Sequence, residues 1–411
     1  MVELMCPAGS FKALRAAIKA GANSVYFGVG NLHMRSVAAK FTVDNLKEIV
    51  QICKQANVKS YLTLNAVMYD EDLEEMKKLC DLAKQNEITA IIASDLAVIQ
   101  YANSINLEVH MSTQTNISNI EAVKFYSKFA DVIVLARELS LEQIKKICDK
   151  IKKENIKGPK DELIKIEVFV HGALCVSISG KCYMSLATYD KSANRGACIQ
   201  NCRRKYRVTD DETGKELVVD NQYVMSPKDL CTIQIVDKLI EAGINVFKIE
   251  GRARGEEYIF LVTKVYKEAI EAAENKTFTK DKVKDWIKEL KKVFNRGFWM
   301  DGYYLGDKLG EWSNAYGSKA TKEKIEVGKV LNYFEKVKAA HIKILANELN
   351  IDDELMISGN KTGVVFTKVK KIMKNNQEVS KASKGNDITI EVLEKIREND
   401  TVFLIKDRNH S

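Results

Sequence analysis

What this chain lacks narrows it considerably. No uninterrupted run of 18 apolar residues occurs, so no membrane span is expected. The opening stretch, MVELMCPAGS, has neither a basic n-region nor a long apolar segment, so no secretory signal is expected either. There is no H-E-x-x-H of a zinc protease, no G-x-S-x-G nucleophile elbow and no P-loop. The G-V-G at residues 28–30 is too short to be a dinucleotide fingerprint. No C-x2-C zinc knuckle, long internal repeat or low-complexity tract is found.

What is present is cysteine. Nine cysteines in a chain expected to stay in the reducing cytoplasm favour metal binding or catalysis over disulfides. Cys6, Cys53, Cys80 and Cys148 are scattered through apolar stretches that read as core. The other five, Cys175, Cys182, Cys198, Cys202 and Cys231, cluster with spacings C-x6-C, C-x15-C, C-x3-C and C-x28-C. Thiolates are soft ligands for zinc or iron–sulfur clusters, so a metal site is expected in this segment. The spacing does not name the metal; an iron–sulfur cluster, zinc and unligated buried thiols all stay open. The composition, 45% hydrophobic and 29% charged over 411 residues, suits a globular protein of two or three domains. A net charge of +8 permits a nucleic-acid partner without requiring one.

Short β-branched runs alternate with longer segments of helical period. The strand candidates are Val2–Cys6, Ser24–Gly28, Ser60–Ala66, Ala90–Ser94, Glu108–Ser112, Val132–Ala136, Ile166–His171 and Val246–Glu250. Eight strands with crossover helices predict an α/β fold, a (β/α)8 TIM-like barrel over residues 1–322; a doubly wound open sheet is the competitor. A helix is expected over Pro227–Glu241, with Ser226 as N-cap, Pro227 at the first helical position and Asp229 in the first turn. The cysteine-rich insert, residues 172–231, would leave strand seven on the face where barrel enzymes place their chemistry. The aromatic, glycine-rich NRGFWMDGYYLGD reads as a loop crossing the barrel. Residues 323–411 break into short strands between Gly, Asn and Asp turns, predicting a small antiparallel β-barrel domain.

The strand ends supply the remaining candidates. Strand eight runs into Glu250, Arg252 and Arg254, strand six into Arg137 and Glu138, and strand five from His110 to Gln114. Strand three ends near Asn65 and strand seven at His171. Glu–Arg neighbours at a strand terminus are commonly structural ion pairs, but several converging on one barrel face suit an anionic substrate. Arginine meets carboxylate or phosphate oxygens bidentately, which singles out Arg137 and Arg252. His171 and Glu250 are the acid–base candidates, though a lone histidine is more often structural. The run Arg203, Arg204, Lys205, Arg207 follows the cysteines and could grip a phosphate backbone or be a solvated face.

These residues carry a family resemblance. The segment from Glu167 through His171 to Cys175, then Gly180-Lys-Cys182-Tyr-Met-Ser185, resembles the signature of the U32 peptidase-like family. NRGACIQNCRRKY, SPKDLC, KIEGR and the opening ELMCPAGSFKALRAAIKAGANSVYFG continue it over nearly the whole chain. The family name implies collagenase-type proteolysis, for which the only local Cys–His pair on offer is Cys175 with His171. Other members imply an oxygen-independent RNA hydroxylase that holds a [4Fe-4S] cluster on four cysteines. For this chain the resemblance implies Cys175, Cys182, Cys198 and Cys231 as ligands, with Cys202 a fifth candidate. It also implies tRNA wobble uridine in the anticodon loop as substrate and prephenate as the hydroxyl source. Ribosomal RNA cytidine is the alternative substrate, and a paralogous family subunit is a possible partner. Prephenate's two carboxylates would employ the arginines at the barrel mouth.

Overall fold

The computed structural model describes residues 2–408 apart from 39, 179, 217–222, 301–310 and 316. Its first part alternates strands and helices in the order β1 (Glu3–Pro7), α1 (Phe11–Lys19), β2 (Ser24–Phe27), α2 (Leu46–Gln55), β3 (Lys59–Leu64), α3 (Leu73–Gln85), β4 (Ala90–Ala93) and α4 (Leu96–Ser104). There follow β5 (Val109–Met111), α5 (Ile120–Tyr126), β6 (Val132–Val134), α6 (Leu141–Lys153), β7 (Lys165–Gly172) and α7 (Met184–Tyr189). The part closes with β8 (Asp229–Cys231), α8 (Val236–Glu241), β9 (Val246–Ile249), α9 (Glu256–Glu274), α10 (Lys280–Leu290) and β10 (Phe298–Trp299).

Strands β1 to β7 pair in sequence, all parallel, and β9 pairs with both β7 and β1. Those last two ladders close the sheet, so the fold is an eight-stranded parallel barrel and not the open sheet. Local chemistry explains the helices around it. In α6 the Ser140 side chain accepts from Gln143 N while the Gln143 side chain accepts from Ser140 N, closing a capping box. Ile144, Ile147, Cys148 and Ile151 then form its buried stripe, and Lys150, Lys152 and Lys153 lie in its last turn, where cations complement the helix dipole. Cys6, Cys53, Cys80 and Cys148 are all buried in the core, as expected; burial pushes the first three thiols up to about 12.

The Pro227 helix is a correction. Residues 229–231 form β8, antiparallel to the end of β7 and parallel to β10, and α8 begins only at Val236. Ser226 therefore caps no helix and Asp229 lies in a strand instead of a first helical turn; its carboxylate accepts from Arg296 N at 3.1 Å and Arg296 Nη1 at 3.2 Å. Asp229 N donates to Gly297 O and Thr232 N to Val170 O, so long-range strand pairing overrides a sound local cap signal. Cys231 therefore ends a strand instead of opening a helix. The expected crossing loop is described only as far as residue 300; residues 301–310 lie outside the described residues.

From β11 (Lys322–Phe334) to residue 407 the chain forms an antiparallel β domain, with eight strands in one sheet and a further pair at Glu348–Asn350 and Lys381–Ser383. Both sets of strands contribute to one apolar core, separate from that of the barrel. A small third cluster, Ala16, Met356 and Val364, joins the two parts. Ser358 donates to buried Glu256 at 2.6 Å, and Arg15 and Lys19 of α1 donate to the carbonyls of Asn360 and Val364.

Candidate functional site

The C-terminal ends of the barrel strands and the insert after β7 enclose a cavity of about 140 Å³. Cys175, Cys182, Cys198 and Cys202 line it. Among its described residues the insert has little regular structure of its own and is tied down by side chains. Arg195 pairs with Asp72 and donates to Val67 O at 3.0 Å, and Ser185 Oγ accepts from Ile199 N at 3.0 Å. Gly196 sits at φ +82° with its Cα against His33 O, where a Cβ would lie only 2.2 Å from that oxygen. These ties bring residues 175–202 back over the barrel mouth.

Four cationic side chains, Arg35, Arg137, Lys248 and Arg252, and one carboxylate, Glu250, line the same cavity among the described residues. Burial opposes the charge on Glu250, but Arg35, then Arg254, Arg137 and Arg252, outweigh it and hold the carboxyl below its usual range. Arg35 lies 3.7 Å from Glu250. Burial works against the Arg35 charge as well, yet Glu250, then Cys198 and Cys175, hold its proton more tightly than usual. Arg35 was not a candidate in the sequence: it stands at φ +71° in an irregular loop after β2, with no periodic or motif signal beside it.

The predicted arginines divide by what they already hold. Arg252 donates to Thr63 Oγ1 at 2.6 Å and to Met34 O, and faces His33 Nδ1 at 3.2 Å, so its guanidinium is committed to the protein; burial lowers its pKa to about 10. Arg137 donates once, to Ala173 O at 3.1 Å, and stacks on Phe169 at 4.0 Å. Its buried Nε has no hydrogen-bond partner among the described residues. Of the two, Arg137 is the one with donors left for an anion. Gln114 Oε1 accepts from Asn65 Nδ2 at 2.8 Å and from Ser112 Oγ, leaving its amide nitrogen on the cavity wall.

Other candidates fall outside the cavity. Arg203 reaches Ser226 Oγ at 3.1 Å and the carbonyls of Pro227 and Leu174, so it pins the insert instead of facing solvent. Arg204 is exposed and lies over the Tyr189 ring at 5.0 Å. His171 is 2% exposed, surrounded by Tyr258, Tyr266 and Phe298, and burial pushes its pKa down to about 3. Its neighbour across the β7–β8 ladder is Cys231, also buried, whose thiol is pushed up to about 12 by burial and lies 4.0 Å from Tyr266 Oη. His110 lies inside the barrel, 3.9 Å from Glu167.

No three His, Cys, Asp or Glu side chains among the described residues are close enough to hold one ion. A multi-iron cluster takes its thiolates on different irons, so its ligands need not close on one point. Burial raises the Cys202 thiol's pKa against the nearby Arg203, and Cys175, Cys198 and Cys182 raise it further. Of the five clustered cysteines, Cys202 lines the cavity with Cys175, Cys182 and Cys198, and Cys231 does not.

The model of peptidase family U32 matches residues 9–314. The chain is 54% identical to a collagenase of Porphyromonas gingivalis, over 98% of this chain and 97% of that protein. It is 39% identical to an uncharacterized protease of Methanocaldococcus jannaschii, over 99% of each. It is also 33% identical to a tRNA hydroxylation protein of Bacillus subtilis, over 81% of this chain and 78% of that protein. No helix among the described residues is long and apolar enough to cross a membrane.

Proposed function

Because the chain belongs to peptidase family U32, we propose that it is an RNA-modifying enzyme that hydroxylates the wobble uridine of tRNA at C5, with prephenate as the hydroxyl source. The observation that carries this reading is the meeting of four cysteine thiols and an excess of guanidinium groups in one barrel-mouth cavity. Cys175, Cys182 and Cys198, with Cys231 or Cys202, would hold a [4Fe-4S] cluster. Such a cluster supplies a redox-active or Lewis-acidic iron site. Arg137, the less committed of the two predicted arginines, would meet one carboxylate of the co-substrate, and Arg35 on the same cavity wall the other. Glu250 keeps the guanidinia from repelling one another while the cavity is empty of anion. Gln114, oriented by Asn65 and Ser112, presents a neutral donor suited to a carbonyl of the base. The tRNA relative supports the substrate class by its name, and an anticodon loop offers its bases already unpaired.

The peptidase reading is supported by the names of two relatives. It would require a nucleophile with a reachable base. Of the Cys175–His171 pair that the sequence offered, Cys175 is exposed and lines the cavity, whereas His171 is buried and does not. The test is iron and acid-labile sulfide content on protein purified without oxygen, followed by nucleoside analysis of RNA from a deletion strain. About four irons per chain, and 5-hydroxyuridine lost from tRNA, are the expected results. Loss of 5-hydroxycytidine from ribosomal RNA instead would move the substrate to that RNA. Protein without iron after anaerobic reconstitution, in a strain with unchanged nucleosides, would sink the hydroxylase. Serine at Cys202 and at Cys231, each assayed for iron retention, identifies the fourth ligand.

A further inference from the structure

The positive charge of this chain is concentrated beside the cavity. Between Cys175 and Arg207 stand seven basic side chains and one acidic one, in a chain whose net charge is only +8. The same stretch leaves aromatic rings in solvent: Tyr183 is 72% exposed and Tyr189 43%. A ring so exposed adds little to the packing of its own fold. Both rings are at the rim. Tyr183 stands between Cys182 and Met184, which line the cavity, and Tyr189 ends the short helix that Met184 begins. Arg204, two residues after the lining Cys202, lies over the Tyr189 ring. Arg195, between the lining residues Ala193 and Gly196, lies over the half-exposed Tyr69 in the same manner, at 4.2 Å.

Rings interleaved with cations are what an unpaired nucleic-acid strand takes up, since its bases stack on the rings and its phosphates meet the cations. A duplex keeps its base faces to itself and would use the cations alone. Resting on the RNA-hydroxylase reading, we infer that Tyr183 and the Tyr189–Arg204 pair form a stacking platform that receives the unpaired nucleotides flanking the target base. They are positioning residues; the platform sets which nucleotide hangs over the cavity.

The test titrates the full-length protein with an anticodon stem–loop RNA and with a fully paired duplex, at several salt concentrations. Tyr183→Ala is expected to weaken loop binding roughly 5- to 150-fold, with the salt slope unchanged because no phosphate contact is lost. Tyr183→Phe keeps the ring and should bind as the parent does. Arg204→Ala should lower the salt slope by about 1 for loop and duplex alike. Tyr183→Ala protein that binds the loop like the parent, or that loses loop and duplex equally, overturns the platform. A parent protein that binds neither RNA sinks the RNA-hydroxylase reading itself, and the platform with it.

Discussion

Replacing Lys248 by methionine probes the charge buried beneath the cavity. Lys248 Nζ lies 2.7 Å from Glu167 Oε1, with the lysine side chain 5% exposed and the glutamate 0%. At an effective dielectric of about 20, unit charges at that separation attract by about 6 kcal/mol. Desolvation opposes this: burial drives the Lys248 pKa below its ordinary value in spite of Glu167. The intact pair therefore contributes little, but breaking it is costly. Lys248→Met leaves the Glu167 carboxylate buried, with Oε2 already lacking a hydrogen bond among the described residues and the His110 ring 3.9 Å away. A loss of about 3–5 kcal/mol is expected. The double variant Lys248→Met, Glu167→Leu removes both charges and should recover most of that loss, since apolar replacements of similar volume are commonly neutral or stabilising. Urea unfolding followed by tryptophan fluorescence is the suitable assay, because Trp286, Trp299 and Trp312 all precede the β domain and report on the barrel part. A single variant that costs less than about 1 kcal/mol, or a double variant no more stable than the single, would refute the reasoning. Either outcome would mean that water or a rearranged side chain reaches Glu167.

Three further outcomes follow from the same structure. Arg137→Ala should weaken prephenate binding by about 10- to 100-fold, as expected for one lost charge-assisted contact, with Arg137→Lys intermediate; calorimetric titration measures both. Gly196→Ala meets a positive φ and the His33 carbonyl together, so it should cost about 1–3 kcal/mol and loosen the insert, seen as faster proteolysis within residues 175–207. Glu108 is pulled up by burial, but His110 and then Lys160 outweigh this and hold its pKa down to about 2, against an ordinary 4.5. Its stabilising contribution is thus complete above about pH 4.5 and is lost as the pH falls towards 2. The stability difference between the parent and Glu108→Gln should shrink across that window.

The barrel strands were legible because strands buried on both faces must be runs of apolar, β-branched residues, and each such run is bounded here by turn chemistry. The signals of helix α6, its cap and its buried stripe, are likewise local. The errors and omissions share a cause in long-range contact. Ser226-Pro227-Lys-Asp229 has every local mark of a helix start, yet its backbone is claimed by β7 and β10, which are distant in sequence. Arg35 entered the site through a loop without pattern, placed by folding alone.

The division among the arginines was equally invisible to sequence, since Arg137, Arg203 and Arg252 all read as free cations near a strand end or cysteine. Only the fold shows that Arg203 holds the insert and Arg252 holds the loop after β2, leaving Arg137 with an uncommitted donor. The same fact explains how a cavity so rich in cations stays folded. Most of its guanidinia are hydrogen-bonded to protein oxygens, and Glu250 compensates part of the rest. The cations left over share the cavity wall with Cys175 and Cys198. An anionic co-substrate bound there would sit against the cysteine site by electrostatics, before any contact with RNA contributed.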